Sequence, residues 1–324
     1  MADIILHHYE TSPYAEKVRV ALGIKGLAWS SVQIPRIMPK PDLMPLTGGY
    51  RKTPVMQIGA DIFCDTQLIL REIDARQPSP ALNPHPGVGD ALAWWAEKAM
   101  FTPAVIVGFA KIADQLPEDF KQDRAKFSGR NFDPAAMKAA LPYQLDQLRA
   151  HFDWLDRALG DGRNFLLGEK PEIPDLAAYH CVWFVQRNAG KSAAPLGAFA
   201  RLLAWAERMA AIGHGKRSEL TSQRALEIAK AATPATPAAA DVSDPVGRKP
   251  GQKVKVTPDD VGKDPVAGEL VRSGAQEIVI KRTDPQVGDV HVHFPRAGFV
   301  VSAACLDLVP CWDYGKVNAC GSSR

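Results

Sequence analysis

The chain has 324 residues, 46% of them hydrophobic, with 39 lysine or arginine residues against 36 aspartate or glutamate residues and a formal net charge of +3. This composition excludes global disorder, and the near balance of charge argues against a nucleic-acid or anionic-membrane binder. At roughly 150 residues per domain the length predicts two or three domains, and the 26 prolines indicate several linkers.

The cysteines and the apolar runs indicate in which cellular compartment the protein is expected. The five cysteines form no C-x-x-C pair, and Cys305, Cys311 and Cys320 crowd the C-terminal end, so neither a disulfide framework nor a zinc site is predicted. No apolar run approaches the about 18 residues of a membrane span, and Met1 to Glu10 lacks a signal-peptide core. We therefore expect a cytoplasmic protein in a reducing compartment.

The first 76 residues alternate strand and helix signals. Ile4-Ile5-Leu6 is typical of a buried strand, and Ser12-Pro13 starts a helix with Ser as N-cap and Pro at the first helical position. Further elements follow in chain order: a strand over 29–34, a proline-rich loop over 35–49, strands over 55–58 and 61–64, and a helix from Asp65-Thr66 to about Arg76. The order predicts a small α/β sheet domain over 1–76.

The remaining chain changes its periodicity twice. Apolar residues at helical spacing, such as Leu148, Phe152 and Leu155, predict an all-helical domain. Alternating patterns, such as Val290 to Phe294, predict a small all-β appendix. The predicted division is: linker 77–89, helical domain 90–232, linker 233–250, β-rich domain 251–302, tail 303–324.

Three segments resemble one known superfamily. They are Y-E-T-S-P-Y-A-E-K-V-R-V-A-L (Tyr9 to Leu22), R-K-T-P-V (Arg51 to Val55) and C-D-T (Cys64 to Thr66), in that order. They resemble the thioredoxin-like N-terminal domain of cytosolic glutathione transferases, and F-L-L-G-E-K-P-E-I-P-D-L-A-A-Y (Phe165 to Tyr179) is similar to the buried helix start of their helical domain. The resemblance covers about 3–230. One departure is Glu172, which stands three residues before Asp175 where the family usually has Ser or Thr.

The resemblance implies a residue that stabilises the glutathione thiolate. Ser12, at a positive helix N-terminus, is the preferred residue, because its hydroxyl can donate to a sulfur placed there. Tyr9 is the alternative, since some classes of the family use a Tyr at the end of the first strand. Without the resemblance, Ser12 is a helix cap and Tyr9 a strand-end aromatic. Serine cannot form a mixed disulfide, so conjugation is favoured over thiol–disulfide exchange.

The resemblance also implies four substrate-binding residues. Thr53-Pro54 matches the family's cis-proline site, where the Thr53 backbone pairs with the cysteinyl part of glutathione; the alternative is a trans proline that opens a strand. Asp65-Thr66 matches the pair that holds the γ-glutamyl end, with the helix N-terminus and Thr66 on the carboxylate and Asp65 on the ammonium. An ordinary helix cap is the alternative. Two interpretations remain for Arg51 and Lys52: they bind the glycine carboxylate of glutathione, or they are solvated charges of the loop.

Other candidate residues are interpreted structurally. His7 and His8 are expected to be satisfied structural groups, and Cys64 a buried thiol. His291 and His293 alternate on one strand face and are expected to face solvent, so no metal is predicted. Two interpretations remain for the aromatic residues Trp94, Trp95 and Phe101: they line an apolar co-substrate pocket, or they pack in the core.

The sequence therefore predicts a glutathione transferase that binds glutathione as substrate and presents its thiolate to an apolar electrophile. The alternative is a non-catalytic protein of the same fold that binds a ligand or a protein partner. A homodimer, with no nucleic acid and no membrane, is expected from the resemblance and the composition.

Overall fold

The N-terminal elements alternate as expected. The computed structural model describes residues 3–130, 132–191, 193–236 and 244–304. Its first elements are β1 (Ile5–His8), α1 (Pro13–Ile24), β2 (Ala28–Gln33), α2 (Met44–Thr47), β3 (Val55–Ile58), β4 (Asp61–Cys64) and α3 (Thr66–Arg76). Strand β1 pairs parallel with β2 and antiparallel with β3, which pairs antiparallel with β4. The one-turn helix α2 lies in the proline-rich loop, where no helix was predicted.

Seven α-helices follow among the described residues of the middle of the chain. They are α4 (Val88–Trp95), α5 (Phe101–Ile112), α6 (Glu118–Ser128), α7 (Pro134–Ala158), α8 (Ile173–Ala189), α9 (Ala200–Ala211) and α10 (Ser222–Ala231). A π-helical turn, Ala96–Met100, joins α4 to α5. Helix α8 packs against α1, α4 and α5, which joins the helical part to the α/β part. The described helices include none long and apolar enough to cross a membrane.

A short strand interrupts this helical part. Strand β5 (Lys216–Glu219) pairs parallel with β2, and all four of its residues are exposed. Its sequence, KRSE, contains no apolar residue, so no hydrophobic alternation could have predicted it. Backbone pairing with β2 forms the strand, together with contacts of Arg217 with Trp29 and of Ser218 with Ser30.

The C-terminal strands form the predicted β appendix but do not stand apart. They are β6 (Lys253–Pro258), β7 (Val266–Ser273), β8 (Glu277–Asp284), β9 (Gly288–Pro295) and β10 (Phe299–Ala303). Strand β9 pairs parallel with β4, so one ten-stranded sheet has the order β10-β6-β7-β8-β9-β4-β3-β1-β2-β5. The predicted tail beyond residue 304 lies outside the described residues.

Among the described residues, two large hydrophobic cores lie beside a small cluster of Ala110, Ala113 and Met137. The larger includes Val18 and Leu22 of α1, Ile69 and Ile73 of α3, and Trp205 of α9, and it continues through the helical part. The second combines residues of the α/β sheet with α10 and with the appendix strands: Ile5, Ile62, Leu226, Ile280 and Val292 are among its members. The appendix therefore shares a core with the N-terminal sheet and is held rigidly against it.

Candidate functional site

A cavity of about 750 Å³ lies where the three parts of the chain meet. Ser12 borders it from the α/β part, Phe109 from the helical part and Phe299 from the appendix. Its size is that of a cofactor or small-molecule site. Eight lysine or arginine residues but only three carboxylates line it among the described residues, so it suits an anionic ligand.

Ser12 lies at the N-terminus of α1. Its backbone is extended (φ −77°, ψ 120°), and its Oγ accepts a hydrogen bond from the Ala15 amide at 3.2 Å. Pro13 occupies the first helical position, where no amide is needed. Ser12 is therefore a helix cap that still holds a hydroxyl proton to donate, and it borders the cavity.

Two tyrosines border the cavity beside Ser12. The carbonyl of Tyr9 accepts a hydrogen bond from the Ser12 amide at 3.1 Å, and Lys40 Nζ lies 5.9 Å from the Tyr9 ring centroid. The Tyr14 ring packs against Phe101 at 4.6 Å, and burial raises the Tyr14 pKa well above its usual value. Tyr14 is thus a neutral pocket wall, and Ser12 and Tyr9 both border the same cavity.

Thr53 and Pro54 form another part of the wall, and the bond between them is cis. Lys40 Nζ donates to Thr53 Oγ1 at 2.9 Å and to the Arg51 carbonyl at 3.0 Å. Lys40 is only 3% exposed, and burial together with the charges of Arg124 and Arg51 lowers its pKa to about 7. Sequence reasoning missed Lys40; the available signal was a lone lysine between Pro39 and Pro41.

Asp65 and Thr66 open helix α3 at the cavity. Asp65 caps the helix, accepting from the Gln67 amide at 2.9 Å, with φ 72° and ψ 139°. Among the described residues it is the only non-glycine residue with positive φ, a conformation that costs about 1–3 kcal/mol and is found at ligand sites. Thr66 Oγ1 accepts from buried Lys17 at 3.0 Å, which leaves the Thr66 proton free to donate.

The loop cations are held by carboxylates of distant segments. Arg51 pairs with Asp123 of α6, and Lys52 pairs with Asp260 of the appendix, so neither is a solvated loop charge. The Phe127 carbonyl of α6 accepts from the amide of Gly262 at 2.8 Å. The appendix, for which the sequence indicated no role, thus forms part of the cavity wall.

The far end of the cavity is apolar. The Phe109 ring lies 5.0 to 5.9 Å from the rings of Phe120, Phe132 and Phe184, and all four border the cavity. Phe101 also lines it. Trp94 instead lies beneath Lys98, and Trp95 packs against Trp154 at 5.8 Å. Of the three aromatic residues that the sequence suggested, Phe101 therefore borders the cavity and Trp94 and Trp95 do not.

The residues interpreted as structural are satisfied and buried. His7 bonds Gln57 at 2.8 Å and His8 bonds Ser31 at 3.0 Å, and burial lowers the pKa of each histidine to about 4. Cys64 is fully buried, and burial raises its pKa well above the usual value, so its thiol is unreactive.

Comparisons with known proteins find similarity to glutathione transferases. Residues 6–81 match the family model "Glutathione S-transferase, N-terminal domain", and 111–217 match a domain of unknown function. A GST-like protein from Pseudomonas syringae is 39% identical, with a TM-score of 0.73 over 94% of this chain and 100% of that chain. No curated relative was found.

More distant structures share the fold of the first two parts. Glutathione S-transferase III in apo form is 19% identical, with a TM-score of 0.50 over 65% of this chain and 92% of that one. FzlA from C. crescentus is 22% identical, with a TM-score of 0.50 over 64% and 87%. The Pseudomonas protein matches 94% of this chain. The unmatched residues are fewer than those of the appendix, so the match includes residues of the appendix. The chain has a thioredoxin-like domain and a helical part, and it is 39% identical to the GST-like protein from Pseudomonas syringae. It therefore belongs to the glutathione transferase superfamily.

Proposed function

We propose that the protein is a glutathione transferase that stabilises the glutathione thiolate at Ser12 for attack on an apolar electrophile. The observation that carries the proposal is that Ser12, Thr53, Pro54, Asp65 and Thr66 border one cavity. Two of these groups stand at helix N-termini, of α1 and α3, whose partial positive charge favours anions.

The chemistry is divided between the two ends of the cavity. A thiol with a pKa of about 8.5 is mostly protonated at neutral pH, and the Ser12 hydroxyl and the α1 N-terminus favour its anion. The thiol proton passes to solvent. The thiolate sulfur then forms a bond to the electrophilic carbon, and the leaving group departs with the electrons of its broken bond to that carbon. The phenylalanines around Phe109 hold an apolar electrophile. The Thr53 backbone pairs with the cysteinyl residue.

The rest of the proposed setting follows the family: a homodimer in the cytoplasm, without nucleic acid or membrane. Glutathione affinity and conjugating activity, measured over a panel of aryl and alkyl electrophiles, test the function. Binding without turnover would favour the non-catalytic protein of the same fold. No binding would contradict both.

Replacing Asp65 with asparagine is expected to weaken binding of S-methylglutathione 10- to 100-fold. The amide retains an oxygen for the Gln67 amide and so keeps the cap, but it loses the charge that holds the ammonium, a hydrogen bond worth about 1.5–3 kcal/mol. Calorimetric titration measures the loss. Asp90→Asn, at the start of α4 and outside the cavity lining, is the matched control and should bind normally.

Binding of S-methylglutathione is expected to weaken about tenfold as the pH rises through the pKa values of Lys40 in the free and the bound protein. Lys40 loses its charge over this range. Its pKa is about 7 in the protein, and a carboxylate nearby would raise it by about one unit or more, so binding favours the cationic, low-pH form. S-methylglutathione is a thioether, so ionisation of a thiol does not contribute to this pH dependence. Lys40→Met should remove the dependence and Lys111→Met should retain it; an unchanged pH profile in Lys40→Met would exclude Lys40.

A further inference from the structure

The structure brings together three ligating side chains outside the glutathione cavity. Parallel pairing of β4 and β9 sets Asp61 opposite His291 and Phe63 opposite His293. Since alternate residues of a strand share one face, both histidines lie on the side of the sheet that Asp61 faces. Their side chains are 12% and 10% exposed, so the prediction of a solvent-facing pair is wrong.

The ligand atoms are close to a metal-binding arrangement. Asp61 Oδ1 lies 3.0 Å from His293 Nε2 and 3.9 Å from His291 Nδ1, and the three ligand atoms all lie within 4.8 Å of one another. Tetrahedral zinc with bonds of about 2.0–2.1 Å separates its ligand atoms by about 3.3 Å. Adjustments of about 1 Å therefore suffice to bring all three onto one ion.

One of these atoms has no other partner. His291 Nδ1 is buried and forms no hydrogen bond to the described residues. A buried polar atom without a partner is costly, and a bound ion is one explanation for it.

Other residues hold the far sides of Asp61 and His293. Glu277 Oε1 lies 3.0 Å from His293 Nδ1, and the Ala235 amide donates to Asp61 Oδ2 at 2.9 Å. The Phe63 ring stacks on His293 with centroids 4.4 Å apart. Metal-binding histidines have such carboxylate or backbone partners on their second nitrogen, which fix the tautomer and the ring orientation.

We propose that Asp61, His291 and His293 bind one divalent transition metal ion, Zn²⁺ by preference, between β4 and β9. Two imidazoles and a carboxylate suit zinc, and three protein ligands leave a fourth position for water. The ion replaces the proton on His293 Nε2, so one proton is released to solvent when it binds a protonated ring. The site joins the appendix to the N-terminal sheet, and none of its ligands borders the glutathione cavity. It replaces the sequence-based expectation of no metal.

Zinc binding by the tag-free full chain tests the site. After equilibrium dialysis against buffered micromolar Zn²⁺, elemental analysis should find one zinc per chain, and His291→Ala should bind it at least tenfold more weakly. His85→Ala is the matched control: His85 Nδ1 also lies 3.0 Å from a carboxylate, Glu172, and should not affect zinc. A wild-type chain without zinc, or equal losses in both variants, would overturn the proposal.

Cobalt spectroscopy tests the site without relying on a folded variant. Co²⁺ added to the wild-type chain should give the intense visible bands of a four- or five-coordinate ion, and Zn²⁺ should abolish them. The weak spectrum of hexaaqua Co²⁺ alone would contradict the site. Asp61→Asn keeps an oxygen for His293 but lowers the ligand charge, and it should weaken Zn²⁺ binding 10- to 100-fold.

Discussion

Replacing Ser12 with alanine is expected to lower kcat/KM for glutathione conjugation about 100-fold at pH 7. Removing one preorganised donor from a developing or stabilised anion typically costs 10²–10³ in rate. The variant should also raise the pKa of the bound glutathione thiol, because the α1 N-terminus alone then stabilises the thiolate. Kinetics with a chromogenic aryl halide and the ultraviolet absorbance of the bound thiolate measure the two effects.

Two controls separate this role from the helix cap. Ser12→Thr keeps both the hydroxyl and an acceptor for the Ala15 amide, so it should stay near wild type. The loss in Ser12→Ala should shrink at pH 9.5, where glutathione ionises without help; a lost cap would give no such recovery. Tyr9→Phe should change kcat/KM little. The reverse order, with Tyr9→Phe defective and Ser12→Ala active, would assign the thiolate to Tyr9.

Replacing Asp175 with alanine is expected to destabilise the fold by about 3–5 kcal/mol. The buried carboxylate accepts from the Leu166 amide at 2.9 Å, the Glu172 amide at 3.0 Å and Trp205 Nε1 at 2.8 Å. Alanine leaves three buried donors unsatisfied, each worth about 1–3 kcal/mol, and opens a cavity beside Trp205. Urea unfolding followed by circular dichroism measures the loss.

The asparagine variant sharpens this test. Burial raises the Asp175 pKa to about 6, because the charged form costs more there than in water, so a neutral amide is tolerated better than an alanine. Asp175→Asn should therefore cost less than half of the alanine effect. Asp161→Ala, on the surface, should leave the midpoint unchanged. An alanine variant as stable as wild type would show that the three donors find other acceptors.

Local signals predicted most of the N-terminal part. Ser12-Pro13 marked the start of α1 because the hydroxyl accepts from one orphan amide and the proline at the first position removes another. Asp65 marked the start of α3 because its carboxylate also accepts from an orphan amide. The family resemblance then implied that Ser12, Thr53 and Asp65 share one site, and all three border the cavity.

The features that the sequence did not predict depend on contacts between segments that are distant in the chain. Lys40 has no motif of its own; folding of the loop places its Nζ on Thr53 and Arg51. His291 and His293 lacked a nearby carboxylate in the sequence, because Asp61 reaches them only through the pairing of β4 with β9. Pairing of strands more than 200 residues apart leaves no periodic signal in either strand.

That pairing also sets an order of events during synthesis. Asp61 of β4 is translated 230 residues before its partner His291. At about 5–20 residues per second the interval is roughly 10–50 s, during which the edge of β4 has no neighbour in the sheet. An edge strand with free backbone groups can pair with other chains. The nascent protein therefore depends on β9 to cover β4, and a chain that stops before β9 is expected to aggregate more readily than the full chain.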